Sequence, residues 1–140
     1  MIRRIEALNY RGLRYVSQEI GPLEVLVGPN ASGKSTFLDV IALVRDFVRD
    51  GLDEALLSGK EVGTGRARLL DELIFNQSAD RFELALEIAV PDVLVRLNDI
   101  SGTGYRYDVA RYELSVGEGV RGELYVQAET LWLIDSQYHK

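Results

Sequence analysis

Hydrophobic and polar positions first follow an extended period. Ile2, Arg4, Glu6 and Leu8 fall on one side and Arg3, Ile5 and Ala7 on the other, which predicts an imperfect strand. Leu13, Tyr15 and the polar pair Ser17-Gln18 before Ile20 predict a second strand, stopped by Gly21-Pro22. The two are expected to form a hairpin feeding residues 23–27. That run is nearly continuously apolar, the pattern of a strand covered on both faces. The period then changes. Phe37, Leu38, Ile41, Val44 and Val48 recur at three- and four-residue spacing, predicting a helix from about Ser35 to Asp50-Gly51, with residues 53–57 adding a turn or two. Ser58-Gly59 and Gly63-Thr64-Gly65 mark a loose connection, the best candidate for a mobile loop.

From residue 74 onward alternation returns. Phe82, Leu84, Leu86, Ile88 and Val90 alternate with Glu83, Ala85, Glu87 and Ala89, a strand with one buried face. Tyr105, Tyr107 and Val109 are out of phase with Tyr112, Leu114 and Val116, which predicts a β-bulge near Ala110-Arg111. Gly117-Glu118-Gly119 is expected to be a hairpin turn, residues 120–126 the returning strand, and residues 131–134 a last apolar run. The downstream half is therefore expected to be an antiparallel sheet rather than repeated βαβ units. The organisation expected is a single α/β domain: a core at 1–57 of strands, loop and helix, a loose connection at 58–73, and an antiparallel β lobe at 74–140.

The junction between the apolar run and the helix carries the chemistry. Gly28-Pro29-Asn30-Ala31-Ser32-Gly33-Lys34-Ser35-Thr36 fits the phosphate-binding pattern G-x-x-x-x-G-K-[ST], with an apolar run before it and a helical pattern after it. Gly28 and Gly33 permit backbone conformations in which successive N–H groups turn inward around phosphate oxygens. The loop enters a helix N-terminus, where unpaired N–H groups and the macrodipole favour an anion. Lys34 should reach the β- and γ-phosphates, the Ser35 hydroxyl should coordinate a bridging Mg²⁺, and Thr36 is placed to donate towards the α-phosphate. ATP and Mg²⁺ are the expected ligands.

Composition narrows the alternatives. The chain has 140 residues, 46% hydrophobic and 27% charged, the balance of one soluble globular domain able to bury about two-thirds of its unfolded surface. It has no cysteine, which excludes disulfides and thiolate metal sites, and its one histidine, His139, is expected to be a solvated tail residue. No apolar run approaches the roughly 18 residues of a membrane span and no signal-peptide pattern opens the chain, so the expected compartment is the cytoplasm. A net charge of −6 does not support DNA binding. Arg3, Arg4, Arg11 and Arg14 form a local basic cluster that could touch phosphate, though a solvated strand edge is its commoner role.

The stretch Ile5-Glu6-Ala7-Leu8-Asn9-Tyr10-Arg11, the turn at Gly21-Pro22, and residues 23–38 through the phosphate loop resemble the N-terminal region of ABC-type ATPases of the SMC, RecF and OLD group. The resemblance covers about residues 1–50. It implies an ATPase head in which two protomers sandwich ATP, with the triphosphate and Mg²⁺ held by residues 28–36. It also implies Arg11, in an Asn-aromatic-basic stretch, as a further nucleotide contact. Such a head needs a signature segment opening a helix, and an apolar strand ending in acids that hold Mg²⁺ and orient water.

Two downstream stretches resemble these parts without matching them. Leu114-Ser115-Val116-Gly117-Glu118 is similar to the signature L-S-G-G-[QE], but Val116 occupies a glycine position and the following residues, with Gly122, have a strand pattern. Leu131-Trp132-Leu133-Ile134-Asp135 is similar to the acidic strand, but Ser136 stands where the catalytic Glu would be. Leu69-Leu70-Asp71-Glu72, preceded by Arg66 and Arg68, is expected to be an exposed stretch of a helix. No catalytic residue is assigned.

The expected function is Mg-ATP binding by the N-terminal portion of an ABC-type head. Hydrolysis would need a C-terminal portion from a deleted region or another polypeptide, in a homodimer or with a partner. Uncovered sheet edges would favour self-association or marginal stability. The alternatives are a nucleotide-dependent interaction module without catalysis, or a small P-loop kinase or GTPase. The latter is weakened by the lack of an N-K-x-D tetrapeptide and of a basic lid.

Overall fold

The computed structural model describes residues 1–56, 67, 69–77, 79–100 and 106–138. Residues 58–65, Arg66, Arg68, Tyr105 and His139 lie outside the described residues, and with them the glycine-bearing part of the expected loose connection. The opening alternation forms β1 (Ile2–Tyr10) and β2 (Leu13–Glu19), an antiparallel hairpin that pairs Leu8 with Tyr15 and Tyr10 with Leu13. The seventeen-residue helix α1 (Lys34–Asp50) follows the glycine-rich loop and ends at Gly51, whose φ of 87° suits only glycine well. A short helix, α2 (Leu52–Leu56), follows it and adds Ala55 and Leu56 to the core.

Beyond a 3₁₀ turn at Leu70–Glu72 come β3 (Arg81–Ala89), α3 (Asp92–Ile100), β4 (Val109–Glu118) and β5 (Leu124–Ile134). All five strands form one antiparallel sheet in the order β2-β1-β3-β4-β5. Because β1 pairs directly with β3, the opening hairpin and the downstream strands share one core. Ile5, Ala7 and Tyr10 from β1, Phe82, Leu84 and Leu86 from β3, and Leu114 and Val116 from β4 form its sheet side. Phe37, Val40, Leu43, Val44 and Phe47 of α1 close it.

Several elements differ from the pattern-based expectation. Residues 23–27 form no strand: Leu23 lies in a bend, the rest has no regular structure, and Leu23, Val25 and Val27 are exposed at 85, 74 and 85%. An apolar run becomes a buried strand only if neighbouring strands complete its hydrogen bonds, and none of the described strands pairs with it. The buried face of α1 is also rotated: Val40, Leu43 and Phe47 point inward, whereas Leu38 and Val48 are exposed. No bulge occurs at Ala110-Arg111. The register of β4 against β3 is unbroken, and the two phases are the two faces of one strand, with Leu114 and Val116 on one and Val109 on the other. The irregularity lies instead opposite Ser115/Val116, where Gln127 of β5 is the extra residue.

The final hairpin is displaced as well. β4 runs through Glu118, the turn occupies residues 119–123, closed by the Gly119 N–H donating to the Glu123 carbonyl at 2.7 Å, and β5 is continuous to Ile134. Asp71 and Glu72 are exposed as expected, but on a single 3₁₀ turn. Helix α3 is an addition to the expected elements.

The sheet face away from α1 is held by charge. Arg111 bonds Glu6, Glu87 at 2.9 Å and Glu113 at 2.7 Å, and the Trp132 indole N–H donates to Glu113 at 3.0 Å. Partial burial alone would raise the Glu6 carboxyl, but hydrogen bonds from Arg111 and Ser17 outweigh it and hold the group below its ordinary value. Arg111 likewise lowers Glu113. A carboxyl lowered in the folded state stabilises above its unfolded value and loses that contribution as the pH falls through the folded one. Acid unfolding should therefore begin as the pH drops below the ordinary glutamate range. Replacing Arg111 with Met should flatten the dependence of the melting midpoint on pH in that window, and an unchanged slope would contradict the assignment.

Candidate phosphate-binding loop

The geometry of residues 28–36 follows from its residue types. Ala31 and Gly33 adopt left-handed conformations, φ 63° and 89°, on either side of Ser32, which curls the backbone so that consecutive N–H groups face one side. A side chain at Gly28 would put its Cβ 2.9 Å from Ser32 Oγ, so the close turn requires glycine there. The Lys34 ammonium lies across the loop, donating to the carbonyls of Gly28 at 2.7 Å and Pro29 at 2.6 Å and to Ser32 Oγ at 3.2 Å.

Helix α1 begins here with no side-chain cap hydrogen bond and no acidic residue in its first turn, and its first intrahelical bond runs from Phe37 N–H to the Gly33 carbonyl at 2.8 Å. The N–H groups at the start of a helix have no intrahelical acceptor, and an anion is their natural partner. Lys34, Ser35 and Thr36 put an ammonium and two hydroxyls in the first turn of this helix. A helix start of this kind, with a lysine and hydroxyls beside it, is the chemistry that attracts a phosphate. Among the described residues no group of three or more His, Cys, Asp or Glu could hold a metal by itself.

Arg11 lies beside the loop rather than in it. The turn between β1 and β2 brings Gly12 against Thr36 and Leu13 against Gly33. The Arg11 guanidinium donates to Asp39 Oδ2 at 2.9 Å and sits over the Tyr10 ring, whose hydroxyl donates to the same oxygen at 2.6 Å. Tyr10 and Asp39 did not stand out in the sequence. Their signal is faint: an aromatic in the Asn-aromatic-basic stretch, and a carboxylate five residues beyond Lys34.

The downstream candidates are not brought to the loop. Ser115, Val116 and Gly117 lie within β4 and open no helix. Asp135 is buried, but its carboxylate accepts from the backbone N–H groups of Arg106 at 2.8 Å and Gln137 at 3.1 Å, a local capping role. The neighbouring Asp108 accepts from Ser136 and from Arg3 at the start of β1, whereas the loop meets the opposite end of that strand. Eight rises of roughly 3.3 Å put those ends about 26 Å apart. Among the described residues no helix is long and apolar enough to cross a membrane.

These features define a P-loop NTPase fold joined to an antiparallel sheet. The architecture aligns with a solved structure from work on the structural biochemistry of "ATP-driven dimerization and DNA stimulated activation of SMC ATPases". The alignment covers 97% of this chain and 74% of that one, with a TM-score of 0.58 and 21% identity. A family model described as "AAA domain, putative AbiEii toxin, Type IV TA system" matches residues 24–107, more than half of the chain, and the chain belongs to that family. An OLD nuclease of Thermus scotoductus is 43% identical over 44 residues, 31% of this chain and 8% of that protein. That match thus spans less than a tenth of the length of this curated relative.

Proposed function

We propose that the chain binds Mg-ATP through residues 28–36 as part of an ABC-type ATPase head resembling those of the SMC, RecF and OLD group. The observation that carries this reading is the start of α1: uncapped, free of acidic residues in its first turn, and entered through the left-handed Ala31 and Gly33 with Lys34 across the loop. Gly28, Pro29, Asn30, Ala31, Ser32, Gly33, Lys34, Ser35 and Thr36 hold the triphosphate, Ser35 meets Mg²⁺, and Arg11 borders the site.

Hydrolysis depends on parts that the described residues do not bring to the loop. Phosphoryl transfer to water needs an acidic group on the metal and a group that orients the nucleophile. Asp135 is at the far end of the sheet, and the exposed apolar residues 23–27 are suited to cover by strands carrying those groups. A segment with a signature helix and an apolar strand ending in acids, from the same or another polypeptide, is the proposed complement. A second head closes over the nucleotide, as the dimerization described for the SMC neighbour suggests. The net charge of −6 argues against DNA contact by this chain itself.

The second reading is a nucleotide-dependent interaction module without catalysis, favoured by the position of Asp135. Calorimetric titration with ATP and with GTP, each with and without Mg²⁺, tests the ligand: ATP with Mg²⁺ should bind best, and a preference for GTP would contradict the assignment in favour of a GTPase. Phosphate release by the purified chain should show no turnover that depends on Lys34. Lys34-dependent hydrolysis by this chain alone would overturn the reading that its catalytic site needs a complement.

A further inference from the structure

We propose that Asp39 is a positioning residue for the phosphate loop: through Tyr10 and Arg11 it holds the turn between β1 and β2 against Gly33 and Thr36, and so sets the affinity for the nucleotide. The inference rests on the Mg-ATP reading of the loop.

The turn is strained. Arg11 has a φ of 49°, a left-handed conformation that a long side chain rarely adopts, and Asn9 just ahead of it in β1, at 54°, is of a type that tolerates the same region; such strain gathers at functional sites. Three ties impose it here. The Arg11 N–H donates to the Leu73 carbonyl at 2.6 Å. The fully buried Tyr10 packs its ring 5.2 Å from that of Phe82 and donates its hydroxyl to Asp39 Oδ2 at 2.6 Å. The Arg11 guanidinium donates to the same oxygen at 2.9 Å. Asp39 belongs to α1, the helix whose first turn forms the loop's anion-facing end. One carboxylate therefore fastens the turn to the element that carries the site.

The turn in its held position lies beside the loop. Leu13 Cδ2 lies 3.3 Å from where a Cβ of Gly33 would stand, and Thr36 Oγ1 lies 4.0 Å from where a Cβ of Gly12 would stand. Gly33 is the left-handed residue from which the helix starts, so the hairpin lies beside the residue on which the direction of the N–H groups depends. The other flank of the loop gives no comparable support, because residues 23–27 are exposed and form no strand. Pre-organising a binding loop raises affinity by removing the cost of ordering it on binding.

Titration of the full chain with Mg-ATP tests this, at a temperature where circular dichroism shows each variant folded. Asp39→Ala is expected to weaken binding about tenfold, the effect of roughly one hydrogen bond to a charged group. Arg11→Ala should do the same, and the double variant should be little weaker than either, because both break one unit. Asp39→Asn, which keeps an acceptor for the Tyr10 hydroxyl, should recover part of the loss. Tyr10→Phe, which deletes only a hydroxyl, should weaken binding measurably and keeps the test available if Asp39→Ala does not fold. A lowered melting midpoint with unchanged ATP affinity, or single effects that multiply in the double variant, would overturn the positioning role. If the wild type binds ATP in a Lys34-dependent way and every Asp39, Arg11 and Tyr10 variant binds equally well, only this inference fails. If the wild type binds no ATP, the underlying reading fails first.

Discussion

Replacing Lys34 with alanine is expected to weaken Mg-ATP binding by about a hundredfold while leaving the melting midpoint nearly unchanged. The ammonium would bond two phosphates, and hydrogen bonds between charged groups contribute roughly 1.5–3 kcal/mol each, so losing two costs about 3 kcal/mol or more. The same ammonium spans the loop to the Gly28 and Pro29 carbonyls, so its removal also loosens the cradle. The fold should tolerate the change, because alanine is a strong helix former and Lys34 lies at the surface end of α1. Calorimetric titration beside a thermal melt separates the two effects. Binding indifferent to Lys34→Ala would remove the phosphate loop from the functional account.

The largest effect on stability is expected at Phe82. Its side chain is fully buried in β3, the middle strand of the sheet, against the Tyr10 ring. Phe82→Ala removes a ring that the surrounding strands and α1 cannot collapse to replace, at a cost of about 3–5 kcal/mol. That is a large fraction of the roughly 5–15 kcal/mol by which a domain is stable. Urea unfolding should show a lower midpoint with an unchanged slope. A loss below about 1 kcal/mol would mean that the site repacks and that this core is looser than the burial suggests.

Some elements were legible in the sequence because their cause is local. The alternation of Phe82, Leu84 and Leu86 with Glu83 and Glu87 is the signature of a strand with one buried face, and β3 forms there. Gly51 ends α1 where the pattern stops, because its φ of 87° is open to glycine at little cost and takes the chain out of the helix. The buried face of α1 was less legible. Apolar residues surround much of that helix, and only the position of the sheet decides that Val40, Leu43 and Phe47 turn inward while Leu38 and Val48 do not. The same limit explains residues 23–27: hydrophobicity shows that a run can be buried, whereas burial as a strand requires partners from elsewhere in the sequence.

The sequence by itself determined the nine-residue loop, the helix that follows it and the strand pairs of the hairpins, since each depends on conformational preferences and side-chain chemistry of consecutive residues. Only the tertiary structure decided that β1 and β3 join the two halves in one sheet, that Asp135 stands a strand's length from the loop, and that Asp39 ties Tyr10 and Arg11 beside it. Those relations connect residues 28 to more than 100 positions apart. They are set by sheet register and by the packing of α1, and neither leaves a mark on any short stretch of chain.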